Sequence, residues 1–190
     1  MNVPNALTIA RIIAVPVIVV LILGGWEWGD EAGAILFALA AATDGLDGYI
    51  ARRNQDVTTF GKLMDPLADK LLIVAVLIAL VSLDELAAWV AMVIISRELA
   101  ITGLRSLAAE QGIVIAASWM GKVKTSLQIL AILLLIALGG DELWVQLIVY
   151  AAVAATLISG ADYFVAMRRM FVDDDDERGE AGTARAVRQP

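Results

Sequence analysis

Neither cysteine nor histidine occurs among the 190 residues of this chain. Without thiols, disulfides, thiolate nucleophiles and thiolate metal sites are excluded. Without imidazole, a general base has to be a carboxylate or a lysine, and a metal site has to be built from oxygen donors. Charge is also scarce: 18% of residues are charged and 60% are hydrophobic. The mean hydropathy of +0.79 is too high for a soluble domain and places the chain among membrane proteins. The net charge of −7 owes much to the late run Asp173-Asp174-Asp175-Asp176-Glu177, so it says little about the core. No nucleic-acid partner is expected.

Long apolar runs dominate what remains. Six segments have the length a bilayer core requires, about Asn5–Gly24, Ala32–Ala51, Gly61–Leu83, Leu86–Leu107, Trp119–Leu138 and Leu143–Met167. The first lacks Lys or Arg before Arg11 and has no small-residue cleavage site after it, so it reads as a spanning helix rather than a signal peptide. The links Gly24 to Glu31, Ser82 to Glu85 and Gly139 to Glu142 contain acidic residues and no Lys or Arg. All 14 basic residues lie at or near the opposite side, which by the positive-inside rule puts both termini in the cytoplasm. Trp26, Trp28, Trp89 and Trp144 fall near the outer ends, where an aromatic belt is expected. The expected fold is all-α: a six-helix integral membrane domain over residues 1–172, then a disordered acidic cytoplasmic tail over 173–190.

Four aspartates interrupt this apolar background. Asp44 and Asp47 are spaced i,i+3, and Asp65 and Asp69 are spaced i,i+4, so each pair shares one helix face. The polar stretch between the pairs brings both to the cytoplasmic side. Carboxylates in a bilayer need a counter-charge, and two facing pairs form an oxygen cage suited to Mg²⁺ or Mn²⁺. Two such ions can clamp a diphosphate and support in-line displacement at phosphorus. Gly45, Gly48, Ala51 and Gly61 let helices and a bulky ligand approach the backbone closely. Arg52, one turn beyond Gly48, is placed to meet a phosphate, and Thr58 and Thr59 add hydroxyl donors.

The spacing D-x2-D-G-x2-A-R-x8-G-x3-D-x3-D is met by Asp44, Asp47, Gly48, Ala51, Arg52, Gly61, Asp65 and Asp69 without departure. It resembles the signature of the CDP-alcohol phosphatidyltransferase family, and the resemblance extends over the six-helix core. The resemblance implies an integral membrane enzyme of the cell inner (plasma) membrane, usually a homodimer, with two divalent metals at the cytoplasmic face. It further implies that Asp44, Asp47 and Asp65 are primarily metal ligands. Asp69 would be the base that deprotonates the acceptor alcohol, and a metal ligand too.

The signature speaks to the donor, a CDP-linked lipid such as CDP-diacylglycerol, more than to the acceptor. Asn5, Thr8 and Arg11 form a polar stripe on the first helix, in an opening that resembles the phosphatidylglycerophosphate synthase branch. Asn5 and Thr8, with Gly48, Arg52 and Thr58, are the candidate donor-binding residues. Ser96-Arg97-Glu98-Leu99, Arg105 and Gly121-Lys122-Val123-Lys124-Thr125 resemble the same branch. Arg97 and Arg105 are two turns apart on one face, and with Lys122 and Lys124 they suit an acceptor carrying its own phosphate. Glycerol 3-phosphate is the expected acceptor. An inositol phosphate or a cardiolipin-type acceptor is the alternative within this chemistry. A divalent-cation transporter is the alternative outside it, but no internal repeat of that class is seen, and the aspartates gather near one face beside Gly48, Ala51 and Arg52, which an ion path does not require.

Overall fold

The computed structural model describes residues 3–54, 59–110 and 119–186, with side-chain surroundings for 6–43, 64, 67–110 and 119–165. Thr58 lies outside the described residues, and the side chains of Asn5, Asp44, Asp47, Gly48, Arg52 and Asp65 lie outside the described surroundings. Six helices account for the described chain: α1 Val3–Leu23, α2 Gly29–Asn54, α3 Thr59–Ser82, α4 Ala88–Glu110, α5 Trp119–Leu138 and α6 Leu143–Ala186.

Each apolar run expected from the sequence is a helix, with starts within three residues of expectation. The end of α6 differs. Composition placed a disordered tail from Asp173, whereas α6 remains helical through the acidic run to Ala186. No proline interrupts that stretch, and pairs such as Asp174 and Arg178 have the i,i+4 spacing that favours helix.

The packing order closes a ring. α1 lies against α2 and α3, α2 against α5, α5 against α6, α6 against α4, and α4 against α3, while α3 and α5 also meet. Each helix turns one face inward at helical spacing. Val15, Ile18 and Ile22 do so on α1, Leu72, Val76 and Leu80 on α3, and Val145, Val149 and Val153 on α6. Phe37, wholly buried on α2, sits between the small residues Ala34 and Ala40.

Large apolar side chains also cover the outside, among them Ile13, Val17, Ile35, Leu39, Ile78, Met92, Leu147 and Phe164. A soluble monomer rarely exposes so much apolar surface, and a bilayer is the solvent that suits it. Three helices are long and apolar enough by composition to cross a membrane, over Ala6–Leu23, Trp119–Leu138 and Leu143–Val165 among the described residues. α3 and α4 carry the charges Asp69, Lys70, Arg97, Glu98 and Arg105 within their lengths.

The two ends of the bundle differ in chemistry. At one end Glu85, in the link 83–87, reaches the link 139–142, where its carboxylate accepts from the Gly140 N–H. Gln146 Nε2 donates to the Gly140 carbonyl at 2.9 Å. Gly139 has φ 78°, a left-handed conformation that costs other residues strain. Trp26 stacks on Trp28 with ring centroids 5.5 Å apart, and Trp89 stacks on Tyr150 at 6.1 Å. The buried polar residues Thr8, Arg11, Lys124, Gln128, Thr156 and Ser159 all lie in the opposite half. The interior is therefore oily toward the links and polar toward the aspartates.

Candidate active site

α2 and α3 hold the two aspartate pairs on continuous helix, Asp44 and Asp47 ten and seven residues before the end of α2, Asp65 and Asp69 in the first half of α3. Only residues 55–58 separate the two helices, so the pairs belong to the same end of the bundle. As helix, the i,i+3 and i,i+4 spacings each place a pair on one face. The Asp69 side chain is half-buried. It borders a cavity of about 40 Å³ between α3, α4 and α5, beside Lys70, Glu98, Lys124, Thr125 and Gln128. Four carboxylates and no nitrogen or sulfur donor make a set that fits Mg²⁺ or Mn²⁺.

Glu98 anchors the neighbouring charges. Its Oε1 accepts from Lys70 Nζ at 3.0 Å, and its Oε2 is paired with Lys124 Nζ and lies 3.5 Å from Arg97 Nη1. One carboxylate on α4 thus joins α3, immediately after Asp69, to α5. Lys124 is only 3% exposed, and burying its ammonium requires such a partner.

Arg97 is held against α6. Its Nη2 donates to Ser159 Oγ on α6 at 2.7 Å, and its guanidinium lies over the Tyr163 ring at 5.8 Å from the centroid. Gly160 leaves room for its stem, since a Cβ there would stand 3.4 Å from Arg97 Cγ. The buried Nε has no hydrogen-bond partner among the described residues.

A larger cavity of about 390 Å³ adjoins the first, sharing Lys70, Glu98, Lys124 and Thr125 with it. Arg97, Arg105, Lys122 and Lys124 all line it. The structure brings these four together and also divides them. Arg97 and Lys124 are engaged by Glu98, whereas Arg105 and Lys122 are exposed and make no ion pair among the described residues. Thr8 is wholly buried and Arg11 3% exposed, on the α1 face that continues into Val15, Ile18 and Ile22. Thr8 and Arg11 therefore face the bundle interior.

Sequence reasoning missed Gln128, Ser159 and Tyr163. Gln128 was detectable in part, because it lies four residues after Lys124 and so continues its face. Ser159 and Tyr163 gave no signal, since nothing in the sequence says that this face of α6 meets α4.

Residues 1–159 match the CDP-alcohol phosphatidyltransferase family, and the chain belongs to that family. Within it, the chain is similar to proteins named CDP-diacylglycerol–glycerol-3-phosphate 3-phosphatidyltransferase. The Bacillus subtilis protein is 46% identical, across 86% of this chain and 93% of its own length. The Rickettsia felis protein is 40% identical, across 90% of this chain and 97% of its own. The protein from Salmonella choleraesuis is 38% identical, across 90% and 98%.

Proposed function

We propose that this chain transfers the phosphatidyl group of CDP-diacylglycerol to glycerol 3-phosphate, giving phosphatidylglycerophosphate and CMP. Family membership supports the donor chemistry, and the names of relatives that align over nearly their full length support the acceptor. The observation that carries the acceptor reading is the convergence of Arg97, Arg105, Lys122 and Lys124 on one cavity beside Asp69. With Arg97 and Lys124 engaged by Glu98, Arg105 and Lys122 present two positive charges, which match a phosphate monoester of charge about −2.

In this reading all six helices span the cytoplasmic membrane with both termini inside, and the chain works as a homodimer. Asp44, Asp47, Asp65 and Asp69 would hold the divalent ions. When bound, two Mg²⁺ or Mn²⁺ ions supply charge neutralisation and polarisation of the donor diphosphate. Arg52, Gly48, Thr58, Asn5 and Thr8 serve the donor. Arg105 and Lys122 hold the acceptor phosphate and direct the 1-hydroxyl toward the lipid-side phosphorus. Asp69 takes the proton of that hydroxyl as its oxygen bonds to phosphorus, and the bond from phosphorus to the bridging oxygen breaks. CMP leaves with that oxygen.

The test is CMP release by the purified full chain in lipid nanodiscs, with CDP-diacylglycerol and a panel of acceptors. Glycerol 3-phosphate should be used, and inositol phosphate and phosphatidylglycerol should not. Preference for another acceptor overturns the assignment.

A further inference from the structure

Gln128 is 3% exposed on α5, and its Oε1 is buried with no hydrogen-bond partner among the described residues. Buried acceptors are nearly always paired, so an orphan asks for an explanation. The residue lines the cavity of about 40 Å³ that also contains Asp69. At about 10–15 Å³ per water on this measure, that volume has room for a vicinal pair of hydroxyls. The cavity shares Lys124 and Thr125 with the larger one containing Arg105 and Lys122.

An acceptor held by its phosphate at Arg105 and Lys122, with its reacting hydroxyl at Asp69, spans the two cavities. In glycerol 3-phosphate the 2-hydroxyl sits on the carbon next to the one that bears the reacting hydroxyl. It is the remaining donor of the molecule, and it would enter beside Asp69. The nearby Lys124 and Lys70 ammonium groups are held by Glu98, and the Thr125 hydroxyl donates to the Gly121 carbonyl at 3.0 Å.

We infer that Gln128 is a specificity residue whose Oε1 accepts a hydrogen bond from the 2-hydroxyl of the acceptor, so that the site selects a vicinal diol phosphate over a simple alcohol phosphate. The inference rests on the acceptor site proposed above and names the group that reads the carbon backbone of the substrate.

The test compares glycerol 3-phosphate with 3-hydroxypropyl phosphate, which keeps the phosphate and the primary hydroxyl but lacks the 2-hydroxyl. The full chain in nanodiscs should prefer glycerol 3-phosphate by about tenfold or more in kcat/KM, the scale of one hydrogen bond to a buried group. A ratio near one in the unaltered protein overturns the inference without recourse to any variant. In Gln128→Met the ratio should collapse toward one, chiefly through lost activity on glycerol 3-phosphate. If that variant does not accumulate, Gln128→Asn, which withdraws the amide by one methylene, serves the same comparison. Equal losses on both acceptors mean that Gln128 acts only through structure, and overturn the inference. Arg105→Ala separates this failure from failure of the acceptor site. It should raise KM for both acceptors together and preserve their ratio, and unchanged KM values would remove the acceptor site itself.

Discussion

Lys70 Nζ donates to Glu98 Oε1 at 3.0 Å, tying the residue after Asp69 on α3 to the helix that carries Arg97 and Arg105. The same carboxylate pairs with Lys124 on α5. The wall holding the proposed base and the wall holding the proposed acceptor cations are thus one charged unit, and its disruption should affect both stability and acceptor geometry.

Glu98→Gln leaves Lys70 and Lys124 close together without their counter-charge. Breaking a buried pair costs about 3–5 kcal/mol, and partial exposure reduces this here to about 2–3 kcal/mol. The melting temperature in detergent should fall clearly, and further than in Ser82→Ala, which removes one hydrogen bond between neutral groups worth about 1 kcal/mol. Equal melting temperatures for the two variants would contradict the central place of Glu98.

Asp69→Asn keeps the shape of the side chain and removes its basicity. Transfer to glycerol 3-phosphate should drop about 10²- to 10⁴-fold, the usual scale for a general base. Binding of CDP-diacylglycerol, followed by calorimetry, should largely survive. Turnover at the unaltered rate would take Asp69 out of the role.

Arg105→Ala should raise KM for glycerol 3-phosphate about tenfold or more, since a hydrogen-bonded charge contributes about 1.5–3 kcal/mol. KM for CDP-diacylglycerol should hardly change. Steady-state kinetics with each substrate varied in turn check this, and equal effects on both would argue against the acceptor cavity.

Chelation with EDTA should stop CMP release, and Mg²⁺ or Mn²⁺ should restore it, because an all-carboxylate donor set suits either ion. Full activity in excess chelator would remove the metal assignment from the four aspartates.

Gly139→Ala tests the far end of the bundle. Its φ of 78° should cost an L-residue about 1–2 kcal/mol. The Glu85 carboxylate also stands close, 3.1 Å from where the new Cβ would lie. The expected result is a lower melting temperature with unchanged KM for both substrates, because the link lies at the opposite end from the site.

Much of the fold was legible from residue order alone. Long apolar runs are cheap to recognise because a helix is the structure that satisfies its own backbone in lipid, and all six elements follow from them. The aspartate pairs were legible for a similar local reason: spacings of three and four residues fix a shared face before any packing is known. Helix continuation past Asp173 was not, since composition weighs charge against burial and says nothing of helix propensity carried over from Leu143 onward.

What residue order determined, then, is everything set by near neighbours along one helix: the six helices, the acidic faces, and the pairing of Arg97 with Arg105 two turns on. Only the tertiary structure decided which cations stay available. Glu98 takes up Lys70 and Lys124, and Ser159 and Tyr163 fix Arg97 from α6, leaving Arg105 and Lys122 turned to the cavity. Those partners lie 26 to 66 residues apart. Charge interactions depend on distance in space, and that distance exists only once the ring of helices has closed.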